Sequence, residues 1–295
     1  MQSPLTSTQF RLFKFIISLL PRKARISLLY FRRFFRWPNL SKPRSFNEKV
    51  QWRKINDRNP LLTIAADKIR SKAYVESKSK EIHIPKVYWS GRNIRELDVS
   101  HMPEQFVIKA NHGSRMNFFV KDKNLLDIEY LCKLTEKWLN HDTAHILDEW
   151  AYKNIERNIF VEEMLYSENG ESPSDYKFFV FHGEVKLIQV DSDRFTSHKR
   201  TLFDKEWRRL ELEFSHPIDS KIKSPPRNLK KMLRIAEQLG SDFDFMRVDL
   251  YTVNDKVYFG ELTVYPGAGY EPFPTFDFDL ELGDFWDSNL LRDSR

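Results

Sequence analysis

Residues 244–269, DFDFMRVDLYTVNDKVYFGELTVYPG, constrain this chain more than any other stretch. Two apolar runs flank Asn254-Asp255, residues that tolerate the backbone of a tight turn, so the segment predicts a β-hairpin. Side chains two apart on a strand share a face, which groups Arg247 with Asp249. Back-pairing of the second run brings Glu261 beside Asp249. Carboxylates set among Phe, Val, Leu and Tyr are costly to bury unless paired or metal-bound. Two adjacent oxygen donors with an Arg nearby suit Mg²⁺ held against a polyphosphate. A solvated hairpin face with an ordinary Arg–Asp pair fits the same letters, so the segment alone leaves both readings open.

A chain of 295 residues, 41% hydrophobic and 14% aromatic, can build a sizeable core as one large domain or two ordinary ones. Its single cysteine, Cys132, excludes an internal disulfide framework and fits a reducing cytoplasm. Cys132 lies in an amphipathic helical pattern, IEYLCKLTEKWL, where a small buried thiol is the common case.

The net charge of +6 is unevenly placed: residues 1–47 hold ten Lys or Arg and no acid, so the remainder is mildly acidic. The same segment is apolar, FRLFKFIISLLPRKARISLLYFRRFFRW. Its longest uncharged run, Phe15 to Pro21, is too short to span a bilayer, and no small-residue cleavage site follows. Residues 1–36 read as amphipathic helices broken at Pro21. They either lie on an anionic membrane, at the inner face of the cell, or pack their apolar side on the body. No recognised nucleic-acid module is present, and none is expected to bind.

The rest of the chain mixes helices with strands. Ser45 and Glu48 form a capping-box pattern opening a helix, and residues 60–77 read as another, with Asp67-Lys68 inside it. Strands are predicted over 86–89, 105–110, 117–120, 158–165, 176–181, 184–191 and in the 247–261 hairpin. Helices are predicted over 125–140 and 229–239, and an exposed loop over 215–227. Hairpins, including one across His182-Gly183, outnumber crossovers. The fold class is α+β, not a Rossmann alternation.

Four further stretches carry candidate chemistry. FVIKANHGS places Lys109 at the end of a buried strand, before a polar loop of Asn111, His112, Gly113 and Ser114. An ammonium and loop amides there would hold phosphate oxygens, although a snorkelling Lys before a plain turn has the same sequence. In NIFVEEML, Glu162 and Glu163 point to opposite faces, so only one can meet a cleft. Asp175 and Lys177 share an otherwise apolar strand face, where Lys177 either reaches a cleft or pairs with Asp175. The tripeptide Asp191-Ser192-Asp193 is a DxD of the type that chelates metal and nucleotide sugar in glycosyltransferases. His112, His182, His198 and His216 lack ligand spacing, and no zinc site is expected.

The succession of these stretches resembles the TupA-like branch of the ATP-grasp enzymes, named for teichuronopeptide biosynthesis. The stretches are PRSFNEKVQW (43–52), ADKIRSKAYV (66–75), FVIKANHGS (106–114), VEEML (161–165), DYKFFVFHGEV (175–185), FDFMRVDLY (243–251) and YFGELTVYPGAG (258–269). The resemblance implies an ATP-grasp region over 43–295, with one lobe around 106–165 and another around 175–285 clasping ATP, preceded by the basic helical segment 1–42. It implies that Lys68, Lys109, Asn111, Gly113 and Ser114 hold phosphates. Glu162, Glu163 and Asp175 would serve adenine and ribose. Lys177 and Arg247 would face the reacting groups, and Asp249 and Glu261 would bind Mg²⁺. The third ligand of the superfamily, an Asn two residues after the Glu, is here Thr263, a weaker donor. The implied activity joins a carboxylate to an amine through an acyl phosphate, on an amino acid and an anionic, uronic-acid-containing glycan. A metal-dependent glycosyltransferase using Asp191 and Asp193, and a sugar kinase, are the competing readings.

Overall fold

The computed structural model describes residues 13, 15–166, 172–194, 196–222 and 224–286. Two antiparallel sheets carry the architecture. The first has the order β1 (Val87–Gly91), β4 (Ile159–Glu163), β2 (Phe106–Ala110) and β3 (Asn117–Val120). The second has the order β10 (Lys256–Thr263), β9 (Phe245–Val253), β5 (Asp175–Phe181), β6 (Glu184–Ser192), β7 (Lys199–Phe203) and β8 (Arg209–Leu210). The helices are α1 (Arg22–Phe34), α2 (Phe46–Asn56), α3 (Pro60–Ala66), α4 (Arg70–Lys78), α5 (Ile128–Leu139), α6 (Thr143–Leu147), α7 (Trp150–Lys153), α8 (Leu229–Gly240) and α9 (Phe276–Phe285). The α+β expectation is met. Strands β7 and β8 were not foreseen, because neither shows a clean alternation.

Alternation along each strand divides the two faces. On the first sheet, Phe106, Ile108, Ala110, Ile159 and Val161 pack with Leu131 and Trp138 of α5, leaving Lys109 and Glu162 on the other face. Cys132 is half-buried beside this cluster rather than fully buried as expected. On the second sheet, Phe178, Val180, Val248 and Leu250 pack with Met232, Ile235, Ala236 and Leu239 of α8. The opposite face carries Lys177, Asp249 and their neighbours.

Turn chemistry fixes the hairpins. Asn254 and Asp255 adopt φ of 50° and 56°, and His182 and Gly183 adopt 50° and 79°, the doubly left-handed turn that matches strand twist. In the β9–β10 hairpin the register slips once: Phe259 pairs with Leu250, but Glu261 pairs with Asp249. Gly260 is the extra residue of this bulge, and a Cβ there would lie 2.8 Å from the Asp249 carbonyl oxygen. The bulge is what sets Glu261 across from Asp249.

The expected single helix over 60–77 is two helices. The chain breaks at Asp67–Ile69, where the Asp67 carboxylate accepts from the amides of Ile69 (2.9 Å) and Arg70 (3.3 Å) and so opens α4. At the N-terminus, Pro21 precedes α1, which buries Arg25, Ile26 and Tyr30 against the body. Arg25 donates to Asp148 through Nε (2.8 Å) and Nη2 (2.7 Å). The first twelve residues of the basic segment lie outside the described residues.

Next to Asp148, burial pushes the Glu149 carboxyl up to about 7, against the pull of Lys54. Between its unfolded value near 4.5 and 7, the native state keeps a proton that the unfolded chain has lost. Stability therefore falls as pH rises through that window. Glu149→Gln is expected to flatten this slope, by up to about 3 kcal/mol, as read from urea midpoints at the two ends of the window.

Candidate functional site

The site grows from the charged face of the second sheet. Cross-strand pairing sets Thr263 opposite Arg247, Glu261 opposite Asp249, Asp249 opposite Lys177, and Lys177 opposite Gln189. One step along, Tyr251, Asp175, Asp191 and Arg200 form a parallel row. Asp249 is 1% exposed and accepts from Arg247 Nε and Nη2, both at 2.7 Å, and from Lys177 Nζ at 2.9 Å. Arg247 Nη2 also donates to the Thr263 hydroxyl at 2.9 Å and lies 3.5 Å from Glu261. Burial would lower the Arg247 guanidinium, but Asp249 raises it above its ordinary value. Lys177 follows the same pattern, with Asp175 and Asp249 outweighing burial. Both stay charged.

The first sheet supplies a second group. Glu162 is buried and accepts from Lys109, and it lies 2.6 Å from Lys72. Burial would raise its carboxyl, but Lys109 and then Lys72 bring it below the usual range. Glu163 turns away, accepting from the Lys86 amide at 3.1 Å. Alternation thus sends only Glu162 to the inner face, together with Lys109.

The helix break joins the two groups. The Lys68 amide donates to the Asn111 carbonyl (3.1 Å), and Asn111 Nδ2 donates to Asp67 (3.1 Å). Lys68 Nζ reaches Glu261 of the other sheet at 2.5 Å. Burial would raise the Glu261 carboxyl, but Lys68, Arg247 and Lys177 hold it well below the carboxylate range. The segment 67–72 therefore touches Asn111 and Glu162 on one side and Glu261 on the other. Continuing one helix through 60–77 would remove the turn that places Lys68.

Lys68, Lys109, Asn111, Glu162, Lys177, Arg247, Asp249, Glu261 and Thr263 are thus joined by one network of contacts. Asp175 belongs to it through Lys177 and also accepts from Arg194 at 2.5 Å, while its buried Oδ1 has no hydrogen-bond partner among the described residues. Gly113 and Ser114 lie in the loop after β2. Asp191 accepts from Arg200 Nε at 2.7 Å and from Gln189 at 3.0 Å. Asp193 lies beyond the end of β6 with φ of 51°, 3.9 Å from Lys199. The two carboxylates of the DxD thus face different cations.

Sequence reasoning missed Lys72, Gln189, Arg194 and Arg200. Lys72 was accessible, since it follows Lys68 by four residues. The others depend on strand pairing that the sequence does not display.

The donor set fits a magnesium-bound triphosphate. Asp249 and Glu261 offer carboxylate oxygens and Thr263 a hydroxyl, while Lys109, Lys177 and Arg247 of the two sheets and Lys68 and Lys72 of the segment between them supply positive charge. Among the described residues no group of three or more His, Cys, Asp or Glu could hold a metal, so such an ion would complete its shell with phosphate oxygens and water. The orphaned Asp175 Oδ1 is an acceptor suited to a hydroxyl.

The sequence model of the TupA-like ATP-grasp family matches residues 48–287. No curated protein matches the chain in sequence. Among solved structures, the chain is similar to an ADP complex of N5-carboxyaminoimidazole ribonucleotide synthetase at 12% identity and a TM-score of 0.45, covering 74% of this chain and 50% of that one. It is also similar to D-alanine–D-alanine ligase from Bacillus anthracis in complex with ATP, at 13% identity and 0.45, covering 80% and 70%. A third is the D-Ala:D-Ser ligase VanG from Enterococcus faecalis, at 14% identity and 0.45, covering 77% and 61%. The chain spans half the length of the first of these.

Proposed function

This chain belongs to the TupA-like ATP-grasp family, and from that premise we propose that it is a Mg²⁺- and ATP-dependent carboxylate–amine ligase that joins an amino acid to a uronic-acid carboxylate of a cell-surface glycan. The observation that carries the ATP-handling part is the convergence of five cations, three from the two sheets and two from the segment 67–72, on the Asp249–Glu261 pair and on Glu162. The family's association with teichuronopeptide synthesis and the basic N-terminus support the glycan.

In this reading Lys68, Lys72 and Lys109 leave their carboxylates for phosphate oxygens, and the Asn111–Ser114 loop lies over them. Glu162 and Asp175 serve the adenine and ribose end, whereas the Glu163 side chain turns away from it. Asp249, Glu261 and Thr263 would hold Mg²⁺, which would supply charge neutralisation at the phosphates. A substrate carboxylate oxygen attacks the γ-phosphorus, the bond to the bridging oxygen breaks, and ADP leaves. Lys177 and Arg247 offset the charge that builds on the transferring group. The amine then attacks the acyl carbon, loses a proton and expels phosphate, leaving an amide. The reaction takes place in the cytoplasm or at the inner membrane face.

Thermal unfolding tests nucleotide use. A ligand at a hundred times its Kd stabilises the native state by about 2.7 kcal/mol, which is several degrees of Tm. Mg·ATP is expected to give such a rise, and Glu261→Gln to lose it. A rise with a nucleotide sugar alone would transfer the assignment to a glycosyltransferase. Phosphate release that depends on both an amino acid and a uronic-acid oligosaccharide, with a product heavier by one amino acid less water, tests the ligation. A phosphorylated sugar and no amine dependence would indicate a kinase instead.

A further inference from the structure

The sequence offered two fates for the N-terminal segment, packing on the body or lying on a membrane. Helix α1 packs on the body with an unexpected side. Its buried face holds Arg25, Ile26 and Tyr30, with the Arg25 charge neutralised by Asp148. At 100° per residue, Ala24, Leu28, Phe31 and Phe35 line the side turned away. Phe35 is 72% exposed, and Trp37, at 61%, stacks on Phe31 with ring centroids 4.6 Å apart.

The preceding helical residues fold back along α1. Arg25 Nη1 donates to the Ser18 carbonyl at 3.3 Å, and the Arg32 guanidinium sits 4.2 Å from the Phe13 ring. Ile17 is buried, whereas Phe15, Ile16 and Leu19 are exposed on the other sides of that turn. Phe276 adds to the patch, with Arg36 stacked 3.4 Å from its ring. Six of the nine exposed large apolar side chains among the described residues therefore gather here. Beside them Lys23 is exposed, Arg22 and Arg33 are exposed on the side nearer the body, where Arg22 lies 3.5 Å from Asp148 and Arg33 Nε donates to the Tyr270 carbonyl at 2.9 Å, and residues 1–47 contain no acid.

We infer that this surface docks the protein on the anionic face of a phospholipid bilayer. An aromatic and aliphatic patch ringed by exposed cations matches the interfacial zone of such a membrane, where rings enter the headgroup layer and cations meet lipid charge. Among the described residues no helix is long and apolar enough to cross it, so the contact is peripheral. A second copy of the chain is the poorer occupant, because face-to-face pairing would bring two basic rims together. The inference does not depend on the ligase reading.

Vesicle co-sedimentation of the full chain tests it, comparing phosphatidylcholine with its equal mixture with phosphatidylglycerol. Exposed cations near an anionic surface, of which Arg22 is already paired with Asp148, predict at least about tenfold tighter binding to the mixture, weakened by salt. The triple substitution Leu19→Ser, Phe35→Ser and Trp37→Ser is expected to weaken that binding at least about tenfold while leaving the Mg·ATP thermal shift unchanged. Lys23→Glu, at an exposed residue, is expected to lower the lipid-charge preference at least about fivefold. Equal binding to both vesicles, or binding that survives these changes, would overturn the inference. So would a dimer in sedimentation velocity that the triple substitution dissolves.

Discussion

Asp249→Asn is expected to abolish ATP turnover and to destabilise the fold, whereas Glu261→Gln is expected to abolish turnover alone. Both carboxylates would hold the same metal, but they are buried differently. Asp249 is 1% exposed and neutralises Arg247 and Lys177, both of which are enclosed. Removing its charge leaves two buried cations undercompensated, a change of about 3–5 kcal/mol. The Glu261 side chain is 34% exposed, and its partner Lys68 can turn to water. Loss of either metal ligand should lower turnover by about a thousandfold or more. Phosphate-release rates and urea melts of the two variants separate the effects. Turnover by Glu261→Gln within tenfold of the parent would remove this pair from the metal role.

The largest expected effect on stability alone lies at the N-terminal junction. Arg25 and Asp148 form a two-pronged ion pair with side-chain exposures of 7% and 1%. Breaking a buried pair from one side costs about 3–5 kcal/mol, because the remaining charge stays out of water. The two sides are not equivalent here. Asp148 also has Lys153 at 3.4 Å and Arg22 at 3.5 Å, while among the described residues Arg25 otherwise donates only to the Ser18 carbonyl. Asp148→Asn should therefore cost more than Arg25→Met, and the double variant less than the sum. Asn suits the position because Asp148 has φ of 56°, a conformation Asn accepts. Equal single costs that simply add in urea unfolding would contradict this coupling.

The hairpin around Asn254-Asp255 was legible because turn residues and alternation speak together within twenty residues. So were Lys109 and its loop, and the opposite orientations of Glu162 and Glu163. What failed were features decided by distant contacts. The break at Asp67 needs Asn111, forty-four residues away, and a helical pattern of Leu, Ile and Ala runs through 60–77 without a breaker. Arg200 reaches the site only through pairing of β7 with β6, two strands removed from the hairpin that first drew attention. Helix α1 misled by its polarity, since the buried side carries the Arg and the exposed side the apolar stripe.

The bulge at Gly260 has a consequence for how such a hairpin tolerates change in length. Strand side chains alternate, so removing Gly260 would restore regular pairing with Glu261 still across from Asp249, whereas regular pairing at the present length would set Glu261 across from Val248, on the α8 side of the sheet. The same deletion would straighten the strand and keep its hydrogen bonds. A chain of the present length that pairs without the bulge could therefore fold while having lost a ligand without any substitution at that ligand. Counting residues between the turn and the glutamate together with the bulge, rather than checking only that the glutamate is present, is the appropriate test for whether another sequence preserves this arrangement.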